Sequence, residues 1–141
     1  MPELPDVTVY VEHIARRVVG HPLENVRLAS PFVLRTVDPL LRTTHGKEVR
    51  DVSRMGKRIV LHLDQDLFLV VHLMVAGRFK WIEAPSPPIP KKVGLVAFDF
   101  ARRGTLLLSE ASTKKRASIH VVRGEAGLRA LDPGGARGTV R

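Results

Sequence analysis

The sequence predicts a mainly β protein, a sandwich or barrel of short strands with one substantial helix at the N-terminal end. Only one segment shows a helical spacing of apolar residues, and most of the remaining chain alternates short apolar stretches with turn-forming residues. The 141 residues, of which 44% are hydrophobic, suffice for one domain with a buried core.

The helix is predicted over residues 5–19. Four apolar residues recur at one face of a 3.6-residue period: Val7, Val11, Ile14 and Val18. Pro5 suits the first helical turn, and Gly20 supplies a stop signal. The β-branched run at 7–9 would also tolerate a strand, but the longer period favours the helix.

After the helix the pattern changes to short extended segments. Alternation of apolar and polar residues is clearest at 58–64, and the nearly continuous apolar run at 67–73 predicts a central strand buried on both faces. The segments predicted as strands are 25–29, 32–36, 47–53, 58–64, 67–74, 78–82, 93–100, 104–109 and 118–122.

The connections are predicted from turn chemistry. Tight turns are expected at 64–66 and 102–104, and a short helix is expected at 125–131. Residues 83–92 are rich in proline, which donates no ladder hydrogen bond, so this run predicts a surface connection within one domain.

The charge balance predicts a polyanionic partner. The chain has 23 Lys and Arg residues against 14 Asp and Glu residues, a formal net charge of +9, which points to nucleic acid ahead of an acidic membrane surface. No apolar run approaches the roughly 20 residues that span a bilayer, and no signal-peptide pattern is present, so a cytoplasmic protein is predicted. The absence of cysteine excludes disulfides and thiolate zinc sites.

The first residues offer a nucleophile. Removal of Met1 would leave Pro2 with a free secondary amine, which can attack an electrophilic carbon and form an iminium. An α-amino group has a reference pKa of about 7.7–8.0, so a useful fraction is neutral near pH 7. Glu3 is a candidate proton shuttle beside it. By itself this tripeptide favours the ordinary alternative, in which Pro2 is a start residue without a chemical role.

Three runs along the chain carry a family resemblance: Pro-Glu-Leu-Pro-Asp-Val at 2–7, Met-Gly-Lys-Arg at 55–58 and His-Leu-Met-Val-Ala-Gly-Arg at 72–78. In this order they resemble the formamidopyrimidine-DNA glycosylase/endonuclease VIII family, in which Asp6 would be a one-carbon-shorter variant of a glutamate. The resemblance implies a two-sheet β-sandwich of about eight short strands with one N-terminal helix. It also implies a base-excision DNA repair glycosylase with abasic-site lyase activity through an N-terminal proline.

The resemblance implies three catalytic residues and no cofactor for the chemistry. Pro2 would attack the sugar C1′ of the damaged nucleotide, Glu3 would manage protons, and Lys57 would contact the DNA phosphate beside the lesion. Composition alone makes Lys57 a solvated turn lysine. Gly56 before it allows close backbone approach, and Arg58 adds positive charge, which suits a phosphate contact.

Residues His72, Met74, Val75 and Arg78 are predicted to contact DNA, although a core histidine and a core methionine are the ordinary alternatives. Similar glycosylases have His-Leu-Gly-Met here, and the methionine fills the space left by the extruded base. In this chain Met74 comes one residue early, and Val75 occupies the matching position. On a strand a shift of one residue turns a side chain to the opposite face, which argues against Met74 as the wedge.

The run at 112–118 holds the densest basic cluster, with Lys114, Lys115 and Arg116. Such a run is usually a solvated loop, but hydroxyls beside cations also suit a phosphate clamp. With Arg58, these cations are predicted to bind DNA. The counterpart loop of the family reads Asp-Pro-Arg-Arg-Phe-Gly. Its phenylalanine is absent here, and Arg116 is the nearest replacement.

The predicted domain is a catalytic β-sandwich at 1–131, followed by a flexible tail at 132–141. Family members continue into a helix-two-turn-helix domain and usually a zinc finger, so this chain resembles the N-terminal domain alone, either part of a longer enzyme or a reduced relative. No cofactor is expected in this chain. The expected partners are damaged or abasic double-stranded DNA and a C-terminal DNA-binding domain, in the bacterial cytoplasm beside the nucleoid. The oligomeric state is not indicated.

Two other functions stay open on sequence grounds. A DNA-binding module without turnover would explain why half of the expected clamp is missing. A tautomerase that uses Pro2 as a general base on a small keto acid is the other alternative. The charge of +9 and the size of the β domain argue against the tautomerase.

Overall fold

The computed structural model describes residues 7–131. Helix α1 spans Val7–Val18, helix α2 spans Gly124–Ala130, and the strands lie between them. The strands are β1 (Pro22–Leu23), β2 (Asn25–Leu28), β3 (Lys47–Met55), β4 (Arg58–Leu63), β5 (Leu67–His72), β6 (Gly77–Ile82), β7 (Gly94–Asp99), β8 (Thr105–Glu110) and β9 (Ser118–Arg123). The predicted helix start at 5–6 and the predicted tail at 132–141 lie outside the described residues.

The strands form two antiparallel sheets. The first sheet has the order β1-β3-β4-β5-β9, and the second has the order β2-β7-β8-β6. Apolar residues of both sheets share one buried core with a face of α1. The fold is therefore the two-sheet sandwich with an N-terminal helix, and the barrel alternative is wrong.

Helix α1 buries the face that the periodicity predicted. Its buried residues are Val7, Val11, Ile14 and Val18, and the helix packs against β3 and β4. At its C-terminal end, the Arg103 guanidinium donates hydrogen bonds to the Arg17 carbonyl oxygen at 3.1 and 2.9 Å. Such a contact satisfies one of the carbonyls that a helix end leaves unpaired. The contact holds the β7–β8 connection against the C-terminal end of α1.

Strand β5 is buried on both faces, as the continuous apolar run predicted. Leu69 and Val71 face the main core, whereas Phe68 and Val70 belong to a second cluster on the outer face of the first sheet. Leu128 of α2 covers that second cluster. Complete burial of such side chains contributes about 1.5–3 kcal/mol each to the stability of the fold. Strand β5 is an interior strand of the first sheet, between β4 and β9.

The segment predicted as a strand at 32–36 is not one. Residues Pro31–Val33 form a 3₁₀ turn, and only Leu34 makes an isolated bridge, to Ile119 of β9. Proline supplies no N–H for a ladder, and the Phe32 side chain is 83% exposed, so its hydrophobicity misled the prediction. The two-residue strand β1 was missed because it is too short to show alternation.

The predicted turns are confirmed. Gln65 and Asp66 take φ values of 63° and 60° in the β4–β5 connection. Gly104 takes a φ of 135° in the β7–β8 connection, where an added Cβ would lie 2.6 Å from the Ile82 carbonyl oxygen. Glycine is the residue that tolerates such a conformation. The short helix predicted at 125–131 is α2.

Candidate nucleic-acid interface

Three connections meet at one end of the first sheet. Arg58 at the start of β4 lies opposite His72 at the end of β5, and His72 lies opposite Ser118 at the start of β9. Opposed residues of antiparallel strands have Cα atoms about 4.5–5.5 Å apart. The β3–β4 turn at 56–57, the β5–β6 turn at 73–76 and the loop at 111–117, called here the basic loop, therefore lie side by side.

Lys57 stands at the tip of the β3–β4 turn and is exposed. Gly56 before it has a φ of 63°, which favours glycine. Behind the turn, Nη1 of Arg54 donates a hydrogen bond to the Gly56 carbonyl oxygen at 3.0 Å. The Arg54 side chain thus braces the turn, and the Lys57 ammonium stays accessible to an anion.

The β5–β6 turn presents Val75 rather than Met74. Strand β5 ends at His72, so Met74 lies in the turn, with a φ of 57°, and strand alternation does not set its direction. The Val75 side chain is 78% exposed, whereas Met74 is half-buried. At Gly77 an added Cβ would lie 2.4 Å from the Leu73 carbonyl oxygen, so this tight turn requires glycine. The apolar tip of the turn is therefore Val75.

Arg78 of β6 holds this turn in place through hydrogen bonds. Its Nη1 donates to the carbonyl oxygens of Val75 and Gly77 at 3.0 and 2.8 Å. A guanidinium held by two backbone acceptors acts as a brace, and it keeps its charge close to the turn. The predicted role of Arg78 in DNA contact stays a prediction, and the structure adds a structural role.

A buried carboxylate organises the basic loop. Glu110 ends β8 and is only 2% exposed. Its Oε1 accepts hydrogen bonds from the backbone N–H groups of Arg116 and Ala117 at 2.8 and 3.0 Å, and its Oε2 accepts one from the Ser112 hydroxyl at 3.0 Å. Glu110 also pairs with Gly77 across β6 and β8, so it lies at the root of both the loop and the turn.

Sequence reasoning missed Glu110. An acidic residue at the end of an apolar strand, just before a basic hydroxyl-rich run, was the available signal. The signal is weak, because a carboxylate next to a basic run lowers the positive charge of the loop and does not by itself indicate burial. Buried carboxylates are rare unless donors surround them, and here two of the three donors are backbone N–H groups that the sequence does not display.

The three cations of the basic loop differ in their surroundings. Lys115 donates from Nζ to the Ser112 carbonyl oxygen at 2.6 Å, so its ammonium folds back onto the loop. Lys114 and Arg116 are exposed, and no acceptor within residues 7–131 contacts their side-chain nitrogens. Lys115 is exposed as well, and the DNA contact predicted for all three cations stays a prediction.

Two imidazoles lie on the outer face of the first sheet beside this end. Burial is the main cause that lowers the pKa of His72, and the charges of Arg58, His120 and Lys57 lower it further. Burial likewise lowers the pKa of His120, together with the charges of Arg35 and Arg58. The pKa values of both rings therefore lie below that of an ordinary histidine in the unliganded domain.

His120 and Arg35 were not among the predicted site residues. The alternation of Ser118 and His120 on β9 could have placed His120 on the face opposite the core. The position of Arg35 depends on the loop after β2, whose course no local pattern indicates.

The predicted nucleophile Pro2 and its neighbour Glu3 lie outside the described residues. Within residues 7–131, no three side chains of His, Asp or Glu come together in a group that could hold a metal ion. In the same part of the chain, neither helix has the length and apolarity to cross a bilayer.

Comparison with protein families gives one match over most of the chain. The model of the formamidopyrimidine-DNA glycosylase N-terminal domain matches residues 1–121. The formamidopyrimidine-DNA glycosylase of Heliobacterium modesticaldum is 31% identical over 139 residues, 97% of this chain and 49% of the relative. That of Mycoplasma genitalium is 36% identical over 102 residues, 71% of this chain and 36% of the relative. The chain spans half or less of the length of these relatives.

The fold is shared with solved structures. One is the complex of the Lactococcus lactis Fpg with DNA that contains an abasic site. It matches with a TM-score of 0.78 and 21% identity over 92% of this chain and 47% of that protein. A complex of the same enzyme with DNA that contains Fapy-dG also matches, with a TM-score of 0.78 and 22% identity.

Proposed function

Because this chain belongs to the formamidopyrimidine-DNA glycosylase family through its N-terminal domain, we propose that it is the catalytic domain of a base-excision glycosylase with abasic-site lyase activity. Its substrate would be damaged or abasic double-stranded DNA in the cytoplasm, beside the nucleoid. The observation that carries the proposal is that Lys57, the β5–β6 turn with Val75 and the basic loop lie together at one end of the first sheet. A cation near the reacting sugar, an apolar tip and a positive loop are what extraction of a base requires.

The proposed reaction begins at the amine of Pro2. Its nitrogen attacks C1′ of the extruded nucleotide, the bond from C1′ to the base breaks, and the base leaves with a proton. Opening of the sugar ring gives an iminium, which acidifies the proton at C2′. Loss of that proton expels the 3′ phosphate, and water then releases the amine. Glu3 would carry protons in these steps, and no cofactor is required.

Borohydride reduction in the presence of abasic duplex DNA tests this proposal. The expected result is a covalent adduct between the whole chain and the DNA, and peptide mass spectrometry should map it to Pro2. Borohydride reduces an iminium to a stable amine, so the adduct reports the intermediate itself. An adduct that maps to a lysine such as Lys57, or no adduct beside full DNA binding, would contradict the proline mechanism.

A second candidate is a DNA-binding module without turnover. It is favoured by one observation, that the exposed cations Lys57, Lys114 and Arg116 suit phosphate contacts whether or not a reaction follows. In either case a C-terminal DNA-binding domain is a proposed partner. Binding of abasic duplex without a trapped adduct would favour the module.

Glu3→Gln is expected to lower removal of a damaged base on the order of 10²-fold and cleavage at a preformed abasic site much less. Base departure needs proton transfer at the sugar, whereas an abasic aldehyde is already electrophilic. Single-turnover rates on the two substrates, measured with the same enzyme preparation, check this. Equal losses in the two rates would show that Glu3 is not needed more for base removal than for cleavage at an abasic site.

Lys57→Ala is expected to lower cleavage more than binding, because Lys57 would position the phosphate next to the reacting sugar. Replacement of all three loop cations, Lys114, Lys115 and Arg116, by neutral residues is expected to lower binding more than cleavage. Each phosphate contact contributes a slope of roughly −0.9 in log K against log salt, so the intact domain should show a slope of about −2 to −4. Salt titrations of duplex binding, paired with cleavage rates, measure both effects. Tight, lesion-selective binding that persists at high salt would contradict this assignment.

A further inference from the structure

The outer face of the first sheet carries a row of basic side chains that continues beyond Lys57. Arg58 and His72 oppose each other on β4 and β5. His120 of β9 lies opposite Val70, two residues from His72 on β5, and so shares its face. Diagonal neighbours on one face of a sheet are within reach of long side chains. The row therefore runs from β4 across β5 to β9.

Arg35 joins this row from outside the sheet. Its backbone N–H donates to the Ile119 carbonyl oxygen at 2.9 Å, next to His120 in the chain. The hydroxyl of Thr36 accepts a hydrogen bond from the Val121 N–H at 2.9 Å, on the other side of His120. Two contacts that flank His120 hold the segment against β9, and the positive charge of Arg35 acts on the imidazole.

The positive row lacks a carboxylate partner among the ion pairs of residues 7–131. Those pairs lie elsewhere, such as Arg27 with Asp99 and His62 with Asp66. The charged groups that act on His120 are Arg35 and Arg58, and those that act on His72 are Arg58, Lys57 and His120 itself. Arg58 and His120 are half-buried, and Arg35 is exposed. Positive groups without a counter-ion repel one another, and an anion placed among them removes that repulsion.

We propose that Arg35, Arg58 and His120 form a subsite for a phosphodiester of the DNA backbone, next to the phosphate contact expected at Lys57. The proposal rests on the proposed function, because it needs DNA to lie over this end of the sheet. A phosphodiester fits the chemistry, since it is a permanent anion with two free oxygens that guanidinium and imidazolium N–H groups can share. The imidazole adds a proton-dependent contact that lysine and arginine cannot provide.

The subsite makes DNA binding depend on pH. In the unliganded domain His120 has a pKa below its ordinary value of 6.5. A bound phosphate favours the charged ring and raises that pKa, so between the two values the complex holds more protons than the free domain. Binding therefore tightens as pH falls through this window. The charges that act on His120 are those of Arg35 and Arg58, and His72 lies diagonally across on β5. Helix α2, which also packs on β9, carries Glu125 and Arg129.

The test uses the whole chain and a fluorescent duplex that carries one tetrahydrofuran abasic analogue. His120→Gln and Arg35→Gln are each expected to weaken binding about 3- to 10-fold and to reduce the salt slope by about 0.9. His120→Gln should also remove part of the tightening seen as pH falls toward and below 6.5, the ordinary pKa of histidine. His62→Gln is the matched control, because His62 lies on the same face but at the opposite end of β4, stacked on Phe68 at 4.5 Å. It should leave affinity, slope and pH dependence unchanged.

Two results would overturn the subsite. One is wild-type affinity, salt slope and pH dependence in both variants. The other is a His120 imidazole resonance that moves with inorganic phosphate alone and does not move on addition of duplex, which would assign the cluster to a small anion. Thermal unfolding of each variant separates loss of the fold from loss of the contact. Trapping at Pro2 is measured separately, so failure of the subsite and failure of the proposed function give different patterns.

Discussion

Replacement of Pro2 by glycine is expected to lower strand cleavage at abasic sites on the order of 10³-fold or more, because it removes the secondary amine. An iminium formed by a secondary amine has no N–H proton to lose, so it remains cationic and draws electrons during elimination. A glycine amine gives an imine that can become neutral, and its backbone lacks the restraint of the proline ring. Single-turnover cleavage of abasic duplex measures the loss.

A second variant tests the same step without changing the side chain. An N-terminal extension that keeps Pro2 inside an amide bond leaves a nitrogen that cannot attack C1′, and it should abolish both cleavage and borohydride trapping. Binding to the abasic duplex should persist in both variants, because the cations that hold the phosphates are intact. Undiminished cleavage by a chain that mass spectrometry shows to retain Met1 would refute the iminium mechanism.

Replacement of Glu110 by alanine is expected to lower both stability and DNA binding. The backbone N–H groups of Arg116 and Ala117 would lose a charged acceptor, and hydrogen bonds to charged groups are worth about 1.5–3 kcal/mol each. A loss of about 2–4 kcal/mol in the free energy of unfolding is therefore expected. The basic loop would also lose the geometry that presents Lys114 and Arg116, so duplex affinity should fall about 10-fold. Denaturant unfolding and binding titrations measure the two effects.

Charge alone predicts the opposite change in affinity. Removal of a carboxylate raises the net positive charge, which by itself strengthens binding to DNA. Glu83→Ala is the matched control, because Glu83 is exposed and its loss changes the net charge equally. A double-mutant cycle adds Glu110→Ala to a chain in which the three loop cations are already neutral. There the carboxylate should no longer affect binding, and an undiminished effect would show that Glu110 acts only through global stability.

The sequence predicted those parts of the fold that depend on local periodicity. The helix appeared because Val7, Val11, Ile14 and Val18 bury one face of a 3.6-residue period. Strand β5 appeared because a strand covered on both faces has no polar positions. The prediction at 32–36 failed because an apolar run does not show its backbone conformation: Val33 is buried from a 3₁₀ turn, and Phe32 beside it is exposed.

The sequence also predicted the motifs of the candidate site, but it did not predict how they are arranged in space. Lys57, the Val75 turn and the basic loop were recognised separately, and the strand register of β4, β5 and β9 decided that they lie together. Register joins residues far apart in the chain, so no short window contains it.

By itself, then, the sequence determined the helix, the central strand, the positive charge and the family of this protein, because each follows from composition, spacing or motif. Only the tertiary structure decided the role of Glu110 and the place of His120 and Arg35. A buried carboxylate depends on backbone donors that the following loop folds back to it. The basic row depends on which strands are neighbours and on a segment fastened to β9 from outside the sheet. These are long-range contacts, and burial and electrostatics act on distance in space rather than on distance along the chain.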